Sequence, residues 1–402
     1  MSVPFRQASS GRSCSRLNWF KLLRRIAISL VLLCSVKGYC QDQTVAFAGL
    51  AYAGDHASIA TRFPYSQRFG SSLGDKGINA LLQSAMQSAH PRHFALVPHI
   101  DELKGHDQVI AVAFVLTNES ISTEQIGSVY KLLTQFRAQA LFFDFKSMTV
   151  LRAYPISFAY IDVLTAPPTE KVKDQDVSYI FRGIDGKPGL IDRFVSTLND
   201  AALPSSVSRY LQVTNIAISD EARAVFPPEY RNGGAETWLA DTFGEELSTK
   251  AGVPILPFSK GYAIGNVMSM TVSDSTVYSL TLPKPDYQFS LDLLKLKTIP
   301  YEVKAAGRSL IFGSMFSIKL EEPLSGHAYL DSQFKNGETK LVPVSQVNVE
   351  DFPAYQDSIK GLFAKLSGVL GGDNNPWLKS AATGANVDKQ ISATRELLKS
   401  CK

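Results

Sequence analysis

The chain has 402 residues, of which 45% are hydrophobic and 19% charged, enough to fold into two domains with sizeable cores. Its formal net charge of +4 comes from residues 1–40, which hold seven Lys or Arg and no acid and leave 34 basic and 37 acidic residues in 41–402. This balance argues against nucleic-acid binding, which needs a basic surface to neutralise phosphates, and the apolar content argues against disorder.

The amino-terminal region has the pattern of a secretory signal peptide. A basic leader ends at Arg25, and an apolar run follows over residues 26–33. The run is shorter than the roughly 20 residues that span a bilayer, and the small residues up to Cys40 offer cleavage sites. We expect residues 1–40 to be a signal peptide and the protein to be exported to the periplasm or the outer membrane. Secretion and an uncleaved anchor are the alternatives, and membrane contact after leader removal is expected to be at most peripheral.

The number and positions of the cysteines are consistent with export. They are Cys14, Cys34, Cys40 and Cys401, so nothing between the last two carries a thiol for metal binding or catalysis. If cleavage follows Gly38, Cys40 and Cys401 both remain, and an oxidising compartment favours a disulfide between them. If cleavage follows Cys40, Cys401 stays a single thiol that can pair between chains.

Residues 41–203 are predicted to form a first α+β module. Its predicted elements are a strand at 45–53, a helix at 78–89, a short strand at 94–97, long strands at 109–117, 136–145 and 149–163, and a closing helix that begins near Pro188. Residues 109–117 are continuously apolar, which indicates a central strand covered on both faces. Residues 166–176 are polar and contain proline, which predicts a loop.

Residues 207–370 are predicted to form a second, similar module. Its predicted elements are strands at 211–218, 253–257, 287–293, 308–320 and 326–345, a helix over 238–247 and a closing helix over 355–369. Asn336-Gly337 has the composition of a hairpin turn. Residues 371–402 are expected to be a loop and a carboxy-terminal helix.

The two halves share the order strand, Phe-Pro, helix, several strands, helix. Phe63-Pro64 in the first half and Phe226-Pro227 in the second lie 163 residues apart. We therefore predict an α+β fold with two similar mixed α/β modules in tandem and a short helical carboxy-terminal extension. Chance similarity between common α+β patterns is the alternative.

Histidine placement is the feature most suggestive of a metal site. Five of the six histidines lie between His56 and His106, with aspartates beside them, and imidazole and carboxylate are ligands that zinc accepts. His56, His99 and His106 are the best candidates for a zinc site. The alternative is a set of ordinary polar loop residues, because the His-Glu-x-x-His signature is absent.

No catalytic constellation and no cofactor motif stands in a suitable context in the sequence. The primary hypothesis is therefore an exported cell-envelope protein that acts by binding or assembly without catalysis. Its partners would be envelope proteins or other copies of itself, docking on exposed strand edges near 149–163 and 326–345. Two alternatives stay open: a secreted metal-dependent hydrolase that uses the His56–His106 cluster, and a small-ligand carrier that binds its ligand between the modules.

Overall fold

A computed structural model describes residues 43–54, 56–103, 109–203, 209–230, 233–258, 263–264, 267–272, 276–305, 307–344 and 351–402. The predicted signal peptide, residues 1–40, lies outside the described residues. Residues 43–402 form one compact unit.

The first sheet has eight strands in the order β2-β1-β3-β4-β5-β9-β8-β7. They are β1 (Thr44–Ala53), β2 (Ala95–Val97), β3 (Ile110–Ile126), β4 (Val129–Asp144), β5 (Thr149–Leu164), β7 (Ala263–Ile264), β8 (Val267–Val272) and β9 (Val277–Thr281). Strand β1 runs parallel to β3, and β3, β4 and β5 form an antiparallel meander. The remaining three strands come from the second half of the chain.

The first sheet curls until it closes on itself. Ala51 to Ala53 of β1 pair with Met270 to Val272 of β8, so β1, β3, β4, β5, β9 and β8 form a ring. On β3 the small side chains of Ala111 and Ala113 point into the ring, whereas Val112 and Phe114 point to the opposite face. This alternation explains why residues 109–116 are apolar throughout, and the predicted burial on both faces is confirmed.

Five helices belong to the first module. They are α1 (His56–Arg62), α2 (Pro64–Ser72), α3 (Gly77–Met86), α4 (Glu170–Arg182) and α5 (Leu190–Asp200). On α5, Leu190, Phe194 and Leu198 recur at helical spacing and are fully buried. The Phe194 ring meets Phe114 of β3 edge-on, with the centroids 5.2 Å apart. The helices thus cover the outer face of the ring with large apolar side chains.

The second sheet has five strands in the order β13-β12-β11-β10-β6. They are β6 (Leu211–Ile218), β10 (Tyr287–Lys304), β11 (Gly307–Glu322), β12 (His327–Pro343) and β13 (Ala382–Thr383). Its helices are α6 (Asp220–Arg223), α7 (Gly234–Ala251) and α8 (Asp351–Gly371), and α9 (Trp377–Ala381) and α10 (Val387–Lys399) follow as the carboxy-terminal extension. Helices α7 and α8 pack on the inner face of this sheet.

Both sheets have the same core topology. In the first, β1 lies parallel to β3, which leads into an antiparallel meander; in the second, β6 lies parallel to β10, which does the same. Helices separate the two parallel strands and close each half. The predicted α+β fold class with two similar modules in tandem and a short helical extension is confirmed. Residues 263–281, from within the second half, join the first sheet.

Three local predictions are wrong. Asn336-Gly337 is not a turn, because it lies in the middle of β12 and Gly337 pairs with Gly313. Residues 166–176 are not all loop, because the Thr169 side chain caps α4, accepting a hydrogen bond from the Val172 N–H. Residues 253–257 form no strand beyond one bridge between Leu256 and Gln212.

Candidate functional site

The predicted zinc ligands do not assemble among the described residues. His56 begins α1 after the carboxy-terminal end of β1 and is exposed. His99 is also exposed, and it follows β2, which pairs with the opposite end of β1. His106 lies outside the described residues, which contain no group of three or more His, Cys, Asp or Glu that could hold a metal ion. The zinc site therefore stays a prediction.

Cys401 is buried in the core of the second module, with 1% of its surface exposed. Burial raises the pKa of its thiol. Arg152 of β5, itself buried, donates from Nη1 to the Cys401 carbonyl over 2.9 Å and from Nη2 to the Lys402 carbonyl over 3.3 Å. Cys401 is free in the structure, and its predicted partner Cys40 lies outside the described residues, so the disulfide stays a prediction.

A buried arginine joins the two modules. Arg137 of β4 is 4% exposed, and its Nη2 donates to Thr242 Oγ1 of α7 over 2.7 Å. Its Nε lies 3.5 Å from Glu245 Oε2, and Glu245 also accepts a hydrogen bond from Ser157 of β5. A buried charge is tolerated only when it is paired, so this cluster fixes α7 against the first sheet.

A second set of charges surrounds this contact. Glu124, near the tip of the β3–β4 hairpin, lies 2.9 Å from Lys340 of β12 and 4.0 Å from Lys131. Lys360 of α8 donates to Gln135 of β4 over 3.1 Å. Burial, with the positive charge of Arg137, lowers the pKa of the Lys360 amino group. The contact between the modules is thus polar, and its ion pairs and hydrogen bonds fix the position of one module against the other.

A cleft of 130 Å³ opens between the modules beside Arg137. One wall carries polar side chains of β3 and β4, among them Ser120 and Gln135. The other is aromatic: the rings of Tyr230 and Phe352 lie 4.9 Å apart, and Gln356 donates to the Tyr230 hydroxyl over 2.7 Å. The volume is below the ~300 Å³ of pockets for drug-sized ligands, so it suits a small molecule or part of a larger one.

An apolar arm lies at the β10–β11 hairpin end of the second sheet. We define the arm as the described residues 299–305 and 307–308, at the end of β10 and the start of β11. Every residue from Ile299 to Lys304 is exposed, including Tyr301 at 69% and Val303 at 80%. Beside the arm, the side chains of Leu341, near the end of β12, and Val344, just after it, are 57% and 76% exposed. Soluble surfaces seldom group apolar side chains in this way, so the arm is a candidate binding surface.

The corresponding hairpin of the first module has a different surface. There the exposed positions near the tip are polar, namely Ser120, Ser122, Thr123 and Gln125. Glu124 of this hairpin is held by Lys340 of the second module. The equivalent hairpins therefore differ in surface: the fully exposed positions near the tip are polar in the first and largely apolar in the second.

The predicted docking edges are partly occupied. Strand β5 pairs with β4 along its length, and its other side accepts a hydrogen bond at Ala153 from Ile255. Strand β12 pairs with β13 at Gln333 and Phe334. Ile161 and Val163, near the end of β5, remain 53% and 65% exposed. Docking on these edges stays a prediction.

Sequence reasoning did not find the arm or Arg137. An alternating pattern marks residues 287–293 as a strand, but nothing in it shows that the strand continues beyond its covering helices.

Among the described residues, no helix is both long enough and apolar enough to cross a membrane.

No protein-family model matches this chain, and no curated protein matches it. Several solved structures resemble part of it. A DUF330-family protein from Xanthomonas campestris aligns over 41% of this chain and 83% of its own, at 12% identity and a TM-score of 0.23. A minor lipoprotein from Acinetobacter baumannii aligns over 40% and 86%, at 10% identity and a TM-score of 0.20. A hypothetical protein from Chlamydia trachomatis aligns over 40% and 97%, at 10% identity and a TM-score of 0.21. Likenesses at these TM-scores carry no argument about function.

Proposed function

We propose that this chain is an exported binding and assembly protein of the cell envelope, acting without catalysis, and that it docks through the arm. The signal-peptide pattern that ends at Cys40 supports export. The arm supports binding, because it exposes Ile299, Tyr301 and Val303 at the end of an otherwise well-packed sheet. The exposure of these three side chains is the observation that carries the proposal.

Site-specific photo-crosslinking in the exporting cell tests this function. A photoreactive residue at position 303 should give discrete crosslinked products in the envelope fraction. The same residue at position 324 is the matched control, because Leu324 is 97% exposed at the other end of the same sheet. Equal, weak crosslinking from both positions would contradict docking through the arm, and absence of the protein from the envelope would contradict the proposed location.

The cleft between the modules favours a second candidate function, a small-ligand carrier. Its aromatic wall at Tyr230 and Phe352 faces hydrogen-bonding side chains such as Gln135, an arrangement that binds and orients small molecules. Native mass spectrometry of the protein as purified should then show a bound ligand that is lost in Ser120→Trp, which fills the cleft. Ser128→Trp, in the exposed turn of the same hairpin, should keep it. A ligand-free mass for the unsubstituted protein would argue against a carrier.

The metal-dependent hydrolase stays a prediction that rests on the histidines alone. His56 and His99 are exposed and flank opposite ends of β1, and His106 lies outside the described residues.

A further inference from the structure

We propose that the partner of the arm is a lipid bilayer that carries anionic headgroups. This inference rests on the proposed function, because it names what the arm binds.

The arm has apolar side chains on both faces of its strand. Val303 pairs with Arg308 and, through it, with the buried Val342, so Val303 lies on the core side of the sheet, beyond the helices that cover that side. Ile299 pairs with Ile311 on the opposite side. A register shift between Pro300 and Glu302 places Tyr301 in a bulge. A protein bound to one face of the strand would leave the apolar side chains of the other face in water. Lipid would instead surround an inserted tip on all sides.

Tyr301 and the small side chain of Ala305 at the start of the turn suit the interfacial region of a bilayer. Tyr301 is 69% exposed, and a tyrosine ring places its apolar part among acyl chains and its hydroxyl among headgroups. The hairpin turn begins with the exposed Ala305, where turns in soluble proteins usually carry polar residues. The tip of the arm is therefore compatible with shallow insertion.

Basic side chains surround the apolar tip. Lys297, Lys304 and Arg308 are exposed, and residues 297–308 contain one acid, Glu302, which lies 2.9 Å from the Lys304 amino group. Two further acids, Glu221 and Asp351, lie near Tyr355, whose hydroxyl contacts Thr298. Clustered lysine and arginine beside an apolar surface is the combination that attracts proteins to anionic lipids. The excess of positive charge matches a surface of negative headgroups.

The same charges disfavour the other occupants. Two copies that met through their arms would bring like charges together, which costs affinity. Beyond Leu293, where its pairing with β6 ends, β10 carries the exposed Lys295 and Lys297, and lysine on an edge strand discourages the addition of a further strand. A lipid surface is the occupant that uses both the apolar and the basic side chains.

Vesicle binding of the exported, purified protein is the test. The probes are vesicles of phosphatidylcholine alone and of phosphatidylcholine and phosphatidylglycerol in equal parts. We expect binding to the mixed vesicles that weakens as salt is added. Tyr301→Ser with Val303→Ser should weaken it about tenfold or more through lost apolar burial, and Lys304→Gln with Arg308→Gln about tenfold or more through lost attraction.

Matched controls distinguish vesicle binding by the arm from non-specific adsorption of the protein. Leu324→Ser removes an even more exposed apolar side chain at the far end of the sheet, and Lys389→Gln removes an exposed charge from α10. Both should bind vesicles as the unsubstituted protein does. Every variant carries the same amino-terminal region, so differences between variants report on the arm alone.

Two results would overturn the inference. In the first, the arm variants bind mixed vesicles as tightly as the controls do. In the second, no vesicle binds, but light scattering shows self-association that the arm variants abolish. That second result would leave the proposed assembly function standing with a second copy as the partner, whereas loss of position-specific crosslinking at 303 would remove the proposed function itself.

Discussion

Arg137 Nη2 lies 2.7 Å from Thr242 Oγ1 and so links β4 of the first module to α7 of the second. The pair sits between the two sheets, and Glu245 supplies the compensating charge. Arg137 therefore helps to hold the two modules in register.

Arg137→Ala should therefore destabilise the whole folded unit. The substitution leaves Glu245 without its charged partner in a largely buried place, and breaking such a pair costs about 3 kcal/mol. Urea unfolding measures the free energy of unfolding directly. Arg92→Ala is the control, because its ion pair with Asp200 is exposed and should contribute at most about 1 kcal/mol. Equal losses in the two variants would show that Arg137 is not a structural link.

Arg152→Met should loosen the carboxy-terminal segment without unfolding the protein. Arg152 holds the carbonyl groups of Cys401 and Lys402, and a lost hydrogen bond to a charged group costs about 1.5–3 kcal/mol, or tenfold and more in local opening. Cys401 in reduced protein should then react correspondingly faster with a thiol reagent, read out at Cys401 by peptide mass spectrometry. Lys389→Met, exposed on α10, should leave that rate unchanged, and equal rates in both variants would contradict the anchoring role.

Asp176 should make stability fall as the pH rises. The residue is fully buried on α4, and burial, with the charge of Asp162, raises its pKa to about 6 from 3.8. The folded state then holds the proton more tightly than the unfolded state, so the contribution to stability is full below about pH 4 and is lost between about pH 4 and 6. The loss is at most about 3 kcal/mol.

Asp176→Asn should remove this slope and stabilise the protein above pH 6, as measured by urea unfolding across the pH range. Thr134→Val removes the hydroxyl that donates to Asp176 Oδ2 over 3.3 Å and should move the decline to higher pH. Parallel stability curves for the unsubstituted protein and Asp176→Asn would contradict the assignment.

Gly307→Ala should disturb the tip of the arm, where Gly307 pairs with Lys304. A methyl group at Gly307 would overlap the Val342 carbonyl oxygen, because β11 and β12 approach closely there. Such overpacking costs about 1–3 kcal/mol, and we expect faster amide exchange over residues 307–310 and 339–342. Gly313→Ala, on the same strand, meets its nearest atom at 3.5 Å and should be tolerated. Identical exchange in the two variants would show that the close approach is not a constraint.

Much of the secondary structure follows from sequence pattern, because a periodic apolar stripe indicates a buried face. Leu190, Phe194 and Leu198 predict the buried side of α5 in this way. Asn336-Gly337 misled the prediction because its composition is that of a turn, yet the buried Asn336 side chain donates to Glu338 Oε1 and to the Ser358 carbonyl. Tertiary hydrogen bonds here override a local preference.

The candidate site was harder to predict than the fold. Arg137 in a strand has no local signal for burial, because its partners Thr242 and Glu245 lie more than a hundred positions away in the chain. The exposure of Val303 depends on where the covering helices end, which its own neighbours in sequence do not encode. Both features belong to the packing of whole elements.

The closure of the first sheet by β8 and β9 has a consequence for how the protein can fold. The Ala-lined interior of the ring is sealed only when residues 267–281 arrive from beyond β6 and α7 in the chain. Contacts of such long sequence separation form slowly and late. A fragment ending near residue 203 would thus expose the apolar interior face of the ring and an unpaired strand edge, which favours aggregation. We therefore expect the two halves to fold together in spite of their similar topology.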